Sequence, residues 1–282
     1  MLKNLQKFYY PKTLEDAVKI LGDHSHNVTL VAGGTTLTRI DNPQIETVVD
    51  ISRCGLSYIK EDKDGLHIGA ATTFQELFKL SLVQKFAHGL VSKASGLVST
   101  RLVRNAGTVG GDIVYGYAYN DLPPVFLALD AKVFIADNKG DRWVDFAEFG
   151  KKHGTLVVGK SGILKEVLLP SQTKNWNSSY QRFARSFSDW EAQVIVATTL
   201  GFHDGTCENA RIVVAAVTQH PTRFIEAENA VMGDSPDGKD FARAAEIVCE
   251  KIQPMADWRS SKEYRKEVLK VLIKRALAES SR

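Results

Sequence analysis

Two glycine-rich segments constrain this chain more than any other feature: VTLVAGGTTL at residues 28–37 and RNAGTVGGDI at 104–113. In the first, an apolar run ends in Gly33-Gly34 and is followed by two hydroxyls, Thr35 and Thr36. Glycine lets a backbone approach a ligand closely and adopt positive φ, and consecutive exposed N–H groups can cradle phosphate oxygens. In the second, Gly107, Gly110 and Gly111 surround Thr108, more glycine than a simple turn requires. Taken alone, the first segment is also accounted for by a tight turn after a strand. As a pair, the two suggest a pyrophosphate held between two loops.

The nicotinamide fingerprint is absent. No G-x-G-x-x-G occurs, and neither segment sits in a strand–loop–helix unit, which argues against a Rossmann site. Residues 154–161, GTLVVGKS, match the P-loop pattern G-x-x-x-x-G-K-[ST]. That pattern binds phosphate only as a loop followed by a helix. Here Thr155–Val158 reads as a strand, and residues 163–170 alternate like a further strand, so no P-loop is expected.

At 282 residues the chain can form two or three compact units. With 44% hydrophobic and 24% charged residues it has the composition of a globular protein. A net charge of +3 gives no reason to expect nucleic-acid binding. The N-terminus has no apolar signal-peptide region and no run approaches the length of a membrane helix, so the expectation is a cytoplasmic protein. Cys54, Cys207 and Cys249 are isolated, with no C-x-x-C pair, and read as reduced structural thiols rather than cluster or zinc ligands. His24 and His26 read as solvated loop residues, and no metal site or catalytic triad is indicated. Asn27-Val28-Thr29 fits a glycosylation pattern that has no meaning without secretion.

The pattern predicts a helix from Leu14, capped by Thr13 and ended by Gly22, then strands over 28–32, 47–51 and 66–70. Thr73 and Glu76 form a capping-box signature for a helix carrying Leu77 and Leu80. A hairpin is expected over 132–136 and 142–146, and strands over 155–158 and 163–169. The polar stretch SQTKNWNSS, 171–179, reads as a linker. Long strands over 190–202 and 210–217 are joined at His203-Asp204-Gly205, and helices complete the chain. In the last helix, Tyr264, Val268, Val271, Leu272 and Ala276 are expected to form the apolar face, with Lys and Arg as a solvated opposite face. The order suggests an α+β protein with its own C-terminal domain.

Together these segments resemble the flavoprotein (medium) subunits of molybdenum hydroxylases, the xanthine dehydrogenase and carbon monoxide dehydrogenase family. VAGGTTL and RNAGTVGGDI correspond to its two glycine motifs. FYYPKTLEDAVKIL, LHIGAATTFQEL, the Asp121 run into LPPVFLALDA, and WRSSKEYRKEVLKVLIKRAL match in the same order over nearly the whole chain. The resemblance implies a vanillyl-alcohol-oxidase-type fold: FAD-binding subdomains at 1–57 and 58–172, a linker at 173–179, and a C-terminal domain of antiparallel strands and helices at 180–282. It implies non-covalent FAD, with Leu30, Val31, Ala32, Gly33, Gly34, Thr35, Thr36 and Leu37 wrapping the pyrophosphate. Gly107, Thr108, Gly110, Gly111 and Asp112 would close from the other side. Asp121 would accept from a sugar or ribityl hydroxyl, Leu164 would pack on the adenine or ring region, and Arg182 would lie near the flavin's polar edge. The implied role is electron transfer from iron–sulfur clusters on one partner subunit, fed by a molybdopterin subunit, to an external acceptor, with NAD+ among the candidates.

Two positions depart from the family pattern. Thr36 stands where an acidic residue is common, and Asp112 where Asn is usual. An ionised carboxylate only accepts hydrogen bonds and repels phosphate unless solvated, paired or protonated, so weakened FAD binding is expected at Asp112. Two alternatives stand beside the main reading: a flavin-free scaffold subunit of the same complex, which the Asp112 departure motivates, and a stand-alone flavin reductase of the cell-wall precursor type, which the resemblance implies would share the fold. The latter usually has Pro-Gly where this chain has Ala106-Gly107.

Overall fold

The computed structural model describes residues 2–23, 27–40 and 42–282; His24 and His26 lie outside them. Three sheets organise the described chain. The first contains β1 (Lys7–Tyr9), β2 (Val28–Val31) and β3 (Thr47–Asp50), all parallel in the order β1-β3-β2. Helix α1 (Leu14–Asp23) connects the first two strands and buries Ala17 and Leu21 against Val49 and Ile51. Its start is set as expected: Thr13 Oγ1 accepts from the Asp16 N–H at 3.1 Å.

The second sheet is antiparallel, in the order β4-β5-β8-β6-β7. Its first pair is β4 (Ile59–Glu61) and β5 (Gly65–Gly69). Next come α2 (Phe74–Lys79), α3 (Ser81–Lys85), α4 (Leu90–Leu97), α5 (Arg101–Ala106), α6 (Val109–Tyr115) and α7 (Leu122–Ala128). The hairpin of β6 (Lys132–Ala136) and β7 (Arg142–Asp145) is followed by short helices α8 (Phe146–Phe149) and α9 (Gly154–Val158), then β8 (Ile163–Pro170). The Thr73–Glu76 capping box is present in both directions. Leu66, Ile68, Val133, Val167 and Leu169 of the sheet pack on Phe74, Leu77 and Phe126 of the helices.

The third sheet is antiparallel, in the order β12-β11-β10-β9 with β13 on β11. Its strands are β9 (Asn177–Phe183), β10 (Val194–His203), β11 (Thr206–Ala215), β12 (Thr222–Arg223) and β13 (Gly233–Asp234). Helix α10 (Ile225–Asn229) lies between the last two, and α11 (Gly238–Lys251) and α12 (Lys262–Ser280) complete the chain. The β10–β11 turn has two central residues, Asp204 at φ 49° and Gly205 at φ 83°. Positive φ at both is what a type I′ hairpin requires, and Asp-Gly is a favoured pair for it. Alternate residues of β10 and β11 serve two cores. Ile195, Ala197, Val213 and Ala215 pack with α7, whereas Val194, Val196, Ile212 and Val214 pack with α11 and α12. The sheet is therefore covered on both faces, which explains why its sequence is a continuous apolar run.

Three sequence expectations are corrected. Residues 155–158 form most of the helical turn α9 rather than a strand, because Gly154 packs directly on Val114 and leaves no strand partner beside it. The following residues do form the strand β8, so the GTLVVGKS stretch still lacks the helix a P-loop needs. The stretch 173–179 is not a free tether: Thr173 is fully buried, Lys174 O accepts from Ala87 N at 2.7 Å, and β9 begins at Asn177. In α12 the buried face runs through Arg265, Leu269, Leu272, Ile273, Ala276 and Leu277, while Tyr264 and Val271 are exposed. The expected face was displaced because Arg265 was assigned to solvent. It is buried in an ion pair with Asp257 at 2.7 Å, so a cation belongs to the core side of this helix.

Among the described residues, no helix is long and apolar enough to cross a membrane.

Candidate functional site

A cleft of about 970 Å³ opens between the first sheet, the helices of the second layer and the start of β8, with Trp190 at its edge. That is near the upper end of the range for small-molecule sites and suits a ligand of dinucleotide size. Its lining includes every residue the sequence proposed except Gly107 and Arg182.

The first glycine segment leaves β2 and runs along one wall. At Gly33 a Cβ would sit 1.7 Å from the Ala106 carbonyl oxygen, so the two glycine-rich segments touch backbone to backbone and only glycine fits there. Gly34 has φ +69°, a left-handed conformation that favours glycine. The chain then closes a short turn, with Thr38 N and Oγ1 both donating to Gly34 O at 3.1 and 2.9 Å. Among the described residues, the N–H groups of Gly33, Gly34, Thr35 and Thr36 have no protein acceptor. Four consecutive unspent donors, with threonine hydroxyls beside them, make an anion-binding concavity.

The second segment differs from the expectation of an equivalent nest. Thr108 caps α6, accepting from Gly111 N at 3.2 Å through its side chain and from Asp112 N at 3.0 Å through its carbonyl. Val109 N donates to Thr72 O and Gly110 N to Ala70 O, at 3.0 and 2.7 Å. These amides are spent inside the protein. Gly110 is needed for packing instead: a Cβ there would lie 2.9 Å from Ala70. What this segment offers the cleft is Thr108, with its hydroxyl and its unspent N–H, and the Asp112 carboxyl. Thr108→Ala is expected to lower stability by about 1 kcal/mol through loss of the cap; urea unfolding with Thr108→Ser as the restoring control checks this.

The cleft floor holds a buried polar cluster. Asp121 Oδ1 accepts from Tyr180 Oη at 2.5 Å and from Arg182 Nε at 2.9 Å. Burial raises the Asp121 pKa, with Arg182 and Tyr180 opposing the rise. Arg182 also donates to the Asp189 carbonyl, so it lies behind the cleft, fixing Asp121 on one side and the 184–192 loop on the other. Asp112 keeps partial exposure toward the cleft, and its Oδ2 accepts from Leu122 N at 3.3 Å. Close packing around the carboxyl, and then the neighbouring Asp121, push its pKa well above the usual carboxylate range.

Sequence reading missed the aromatic wall. Tyr115, Tyr117, Tyr119 and Trp190 form a ladder with successive ring centroids 5.1 Å apart, and the Arg39 guanidinium lies 3.8 Å over Trp190. The alternating tyrosines were a visible signal; the Arg39–Trp190 contact had none, since its partners are far apart in sequence. Lys160 and Leu156 also reach the cleft, so the P-loop look-alike contributes to the site without being a P-loop. Among the described residues, no group of three His, Cys, Asp or Glu side chains could hold a metal, and the three cysteines are buried and free.

Unspent amides beside a close backbone contact suit a pyrophosphate, and flat aromatic and apolar walls suit ring systems. Comparison with known proteins agrees. Residues 3–172 match the family described as "FAD binding domain in molybdopterin dehydrogenase". The chain belongs to that family. Residues 178–280 match the "CO dehydrogenase flavoprotein C-terminal domain". The chain is 26% identical over 275 residues to the carbon monoxide dehydrogenase medium chain of Hydrogenophaga pseudoflava, covering 96% of this chain and 95% of that one. It is 26% identical over 278 residues to the xanthine dehydrogenase FAD-binding subunit of Escherichia coli O157:H7, covering 97% and 95%. The solved carbon monoxide dehydrogenase of H. pseudoflava lacking the Mo-pyranopterin moiety superposes with a TM-score of 0.93 at 27% identity, over 99% of this chain and 98% of that one. This family member is an FAD-binding oxidoreductase subunit of the molybdenum hydroxylase type, and its relatives are subunits of multi-subunit enzymes.

Proposed function

We propose that this subunit holds FAD in the cleft and passes electrons from an iron–sulfur partner subunit to an external acceptor, with NAD+, oxygen and a quinone as the candidates. A separate molybdopterin subunit would oxidise the substrate. FAD, when bound, supplies a carrier that accepts electrons singly and releases them as a pair. The chain's own residues bind and orient it. Gly33 through Thr36 offer their N–H groups to the pyrophosphate, with Thr35 and Thr108 adding hydroxyls. Asp121, fixed by Tyr180 and Arg182, keeps its second oxygen for a ligand hydroxyl. Leu164 packs a ring, and the aromatic ladder with Trp190 and Arg39 covers the open side. In this reading 1–57 and 58–172 are the two FAD-binding subdomains and 180–282 is the flavoprotein C-terminal domain.

The observation that carries the proposal is the run of four unspent amides at a point where only glycine fits. A flavin-free scaffold would have no use for them. The test is titration of the purified chain with FAD, followed by quenching of flavin fluorescence and by the bound flavin's visible absorption. Saturable one-to-one binding is expected. Failure to bind would favour the scaffold, and co-purification of iron–sulfur and molybdopterin chains tests the partners.

A further inference from the structure

Because the second glycine segment spends the amides of Gly107 and of residues 109–112 internally, its contribution to a ligand falls to Thr108 and to the side chain of Asp112. We propose that Asp112 is held as a neutral carboxylic acid and donates a hydrogen bond to the bound cofactor, doing what a side-chain amide would do at that position. The proposal rests on the flavin reading above and concerns how the site recognises an anionic ligand.

The geometry leaves an ionised Asp112 poorly compensated. Its carboxyl receives one long hydrogen bond, from Leu122 N at 3.3 Å, while the Asn120 amide goes to its backbone carbonyl at 2.7 Å. The groups that face it come from every element packed on α6. From α7 and β9 come Asp121, Tyr180 and Arg182, and both Tyr180 and Arg182 are committed to Asp121. A second carboxylate thus acts on Asp112, while the neighbouring cation Arg182 is committed to that carboxylate. Helix α9 carries no ionisable side chain of its own, and its N-cap His153 lies edge-on to Tyr115 and bonds Thr155. On β8, Lys165 stacks over Phe134, and Glu166 is bonded to His67 and Tyr58. Tyr115, Tyr117, Lys160 and Arg39 line the same cleft, but no ion pair joins any of them to Asp112. The raised pKa of Asp112 agrees with this arrangement. A carboxylic acid kept neutral by its surroundings can serve as a donor, whereas an ionised one could only accept and would repel phosphate.

The sign follows from linkage: a ligand that prefers the protonated form loses affinity as pH rises through the pKa of the free protein. Above that point the dissociation constant should rise about tenfold per pH unit. The experiment measures FAD binding by fluorescence quenching from acid to alkaline pH for the full chain and for Asp112→Asn, with circular dichroism to confirm folding. The wild type should bind tightly at acid pH and weaken as pH rises. Asp112→Asn should match the acid-form affinity and show no such dependence. The second readout needs no refolded comparison of affinities: the infrared carbonyl band of a protonated carboxyl should appear in FAD-loaded wild type and be missing from the variant. Identical pH profiles, at least tenfold weaker binding by the variant at acid pH, or absence of the band overturns the proposal while leaving the flavin reading intact. No FAD binding at any pH would sink that reading and this one with it.

Discussion

Gly33→Ala is expected to reduce FAD affinity by on the order of 100-fold or more. The added methyl group would stand 1.7 Å from the Ala106 carbonyl oxygen, a backbone atom that cannot swing aside. Either the first segment retreats from the second or both shift, and in each case the four amides from Gly33 to Thr36 lose their common focus. Hydrogen bonds to a charged group contribute about 1.5–3 kcal/mol each, so losing two is enough for that change in affinity. Overpacking should also cost about 1–3 kcal/mol of stability. Gly34→Ala is the informative comparison. There the nearest atom to a new Cβ is the Val31 Cγ2 at 3.7 Å, and the cost is the left-handed backbone alone, about 1–2 kcal/mol. If both variants bind FAD equally well by fluorescence titration, the contact between the two segments is not what shapes the cradle.

Arg182→Leu should be the most destabilising change in the floor of the cleft, by about 3–5 kcal/mol, because it leaves a buried carboxylate without its cation. Arg182 and Asp121 side chains are 5% and 4% exposed, so the pair is little screened by solvent. The pH dependence has a definite sign. The folded-state pKa of Asp121 is already raised and would rise further without Arg182. A carboxyl with a raised folded pKa is best tolerated below its unfolded pKa and loses that tolerance as pH rises through the folded value. The deficit of Arg182→Leu should therefore be small in acid and grow as pH rises. Urea unfolding at several pH values reads this directly, and the double variant Asp121→Asn/Arg182→Leu should recover part of the loss. A deficit that does not change with pH would mean that Arg182 acts chiefly through the Asp189 carbonyl and the 184–192 loop.

Much of the fold was legible because its signals are local. The Thr73–Glu76 capping box, the Asp204-Gly205 turn and the apolar alternation of β10 and β11 each depend on residues a few positions apart. The exposed amides of the first glycine segment were legible for the same reason. The second was misread because glycine has two uses that look alike in sequence. At Gly33 it lets the segment lie against Ala106 with its amide left open, whereas at Gly110 it lets α6 lie on Ala70, with the amide consumed in the process. The partners of Arg182 were not legible, since its long side chain reaches Asp121 and Asp189, which are distant from one another in sequence. Arg265 was sent to solvent by its charge, although it is buried and paired with Asp257 nearer the surface. The Arg39–Trp190 contact could not have been inferred, because no periodicity links two such distant residues.

Because β10 and β11 give alternate side chains to two different cores, the third sheet is a party wall rather than an annex. A chain stopped at residue 172 would strip the cover from α7 and, with Trp190 gone, take away the roof over Arg39. A chain begun at residue 173 would turn Ile195, Ala197, Val213 and Ala215 out into water. Although two family models meet near that point, neither tenant can be moved out whole. Stable fragments should therefore be sought only as complementary pairs expressed together, and gene fusions at that junction should succeed only when both halves come from closely matched relatives.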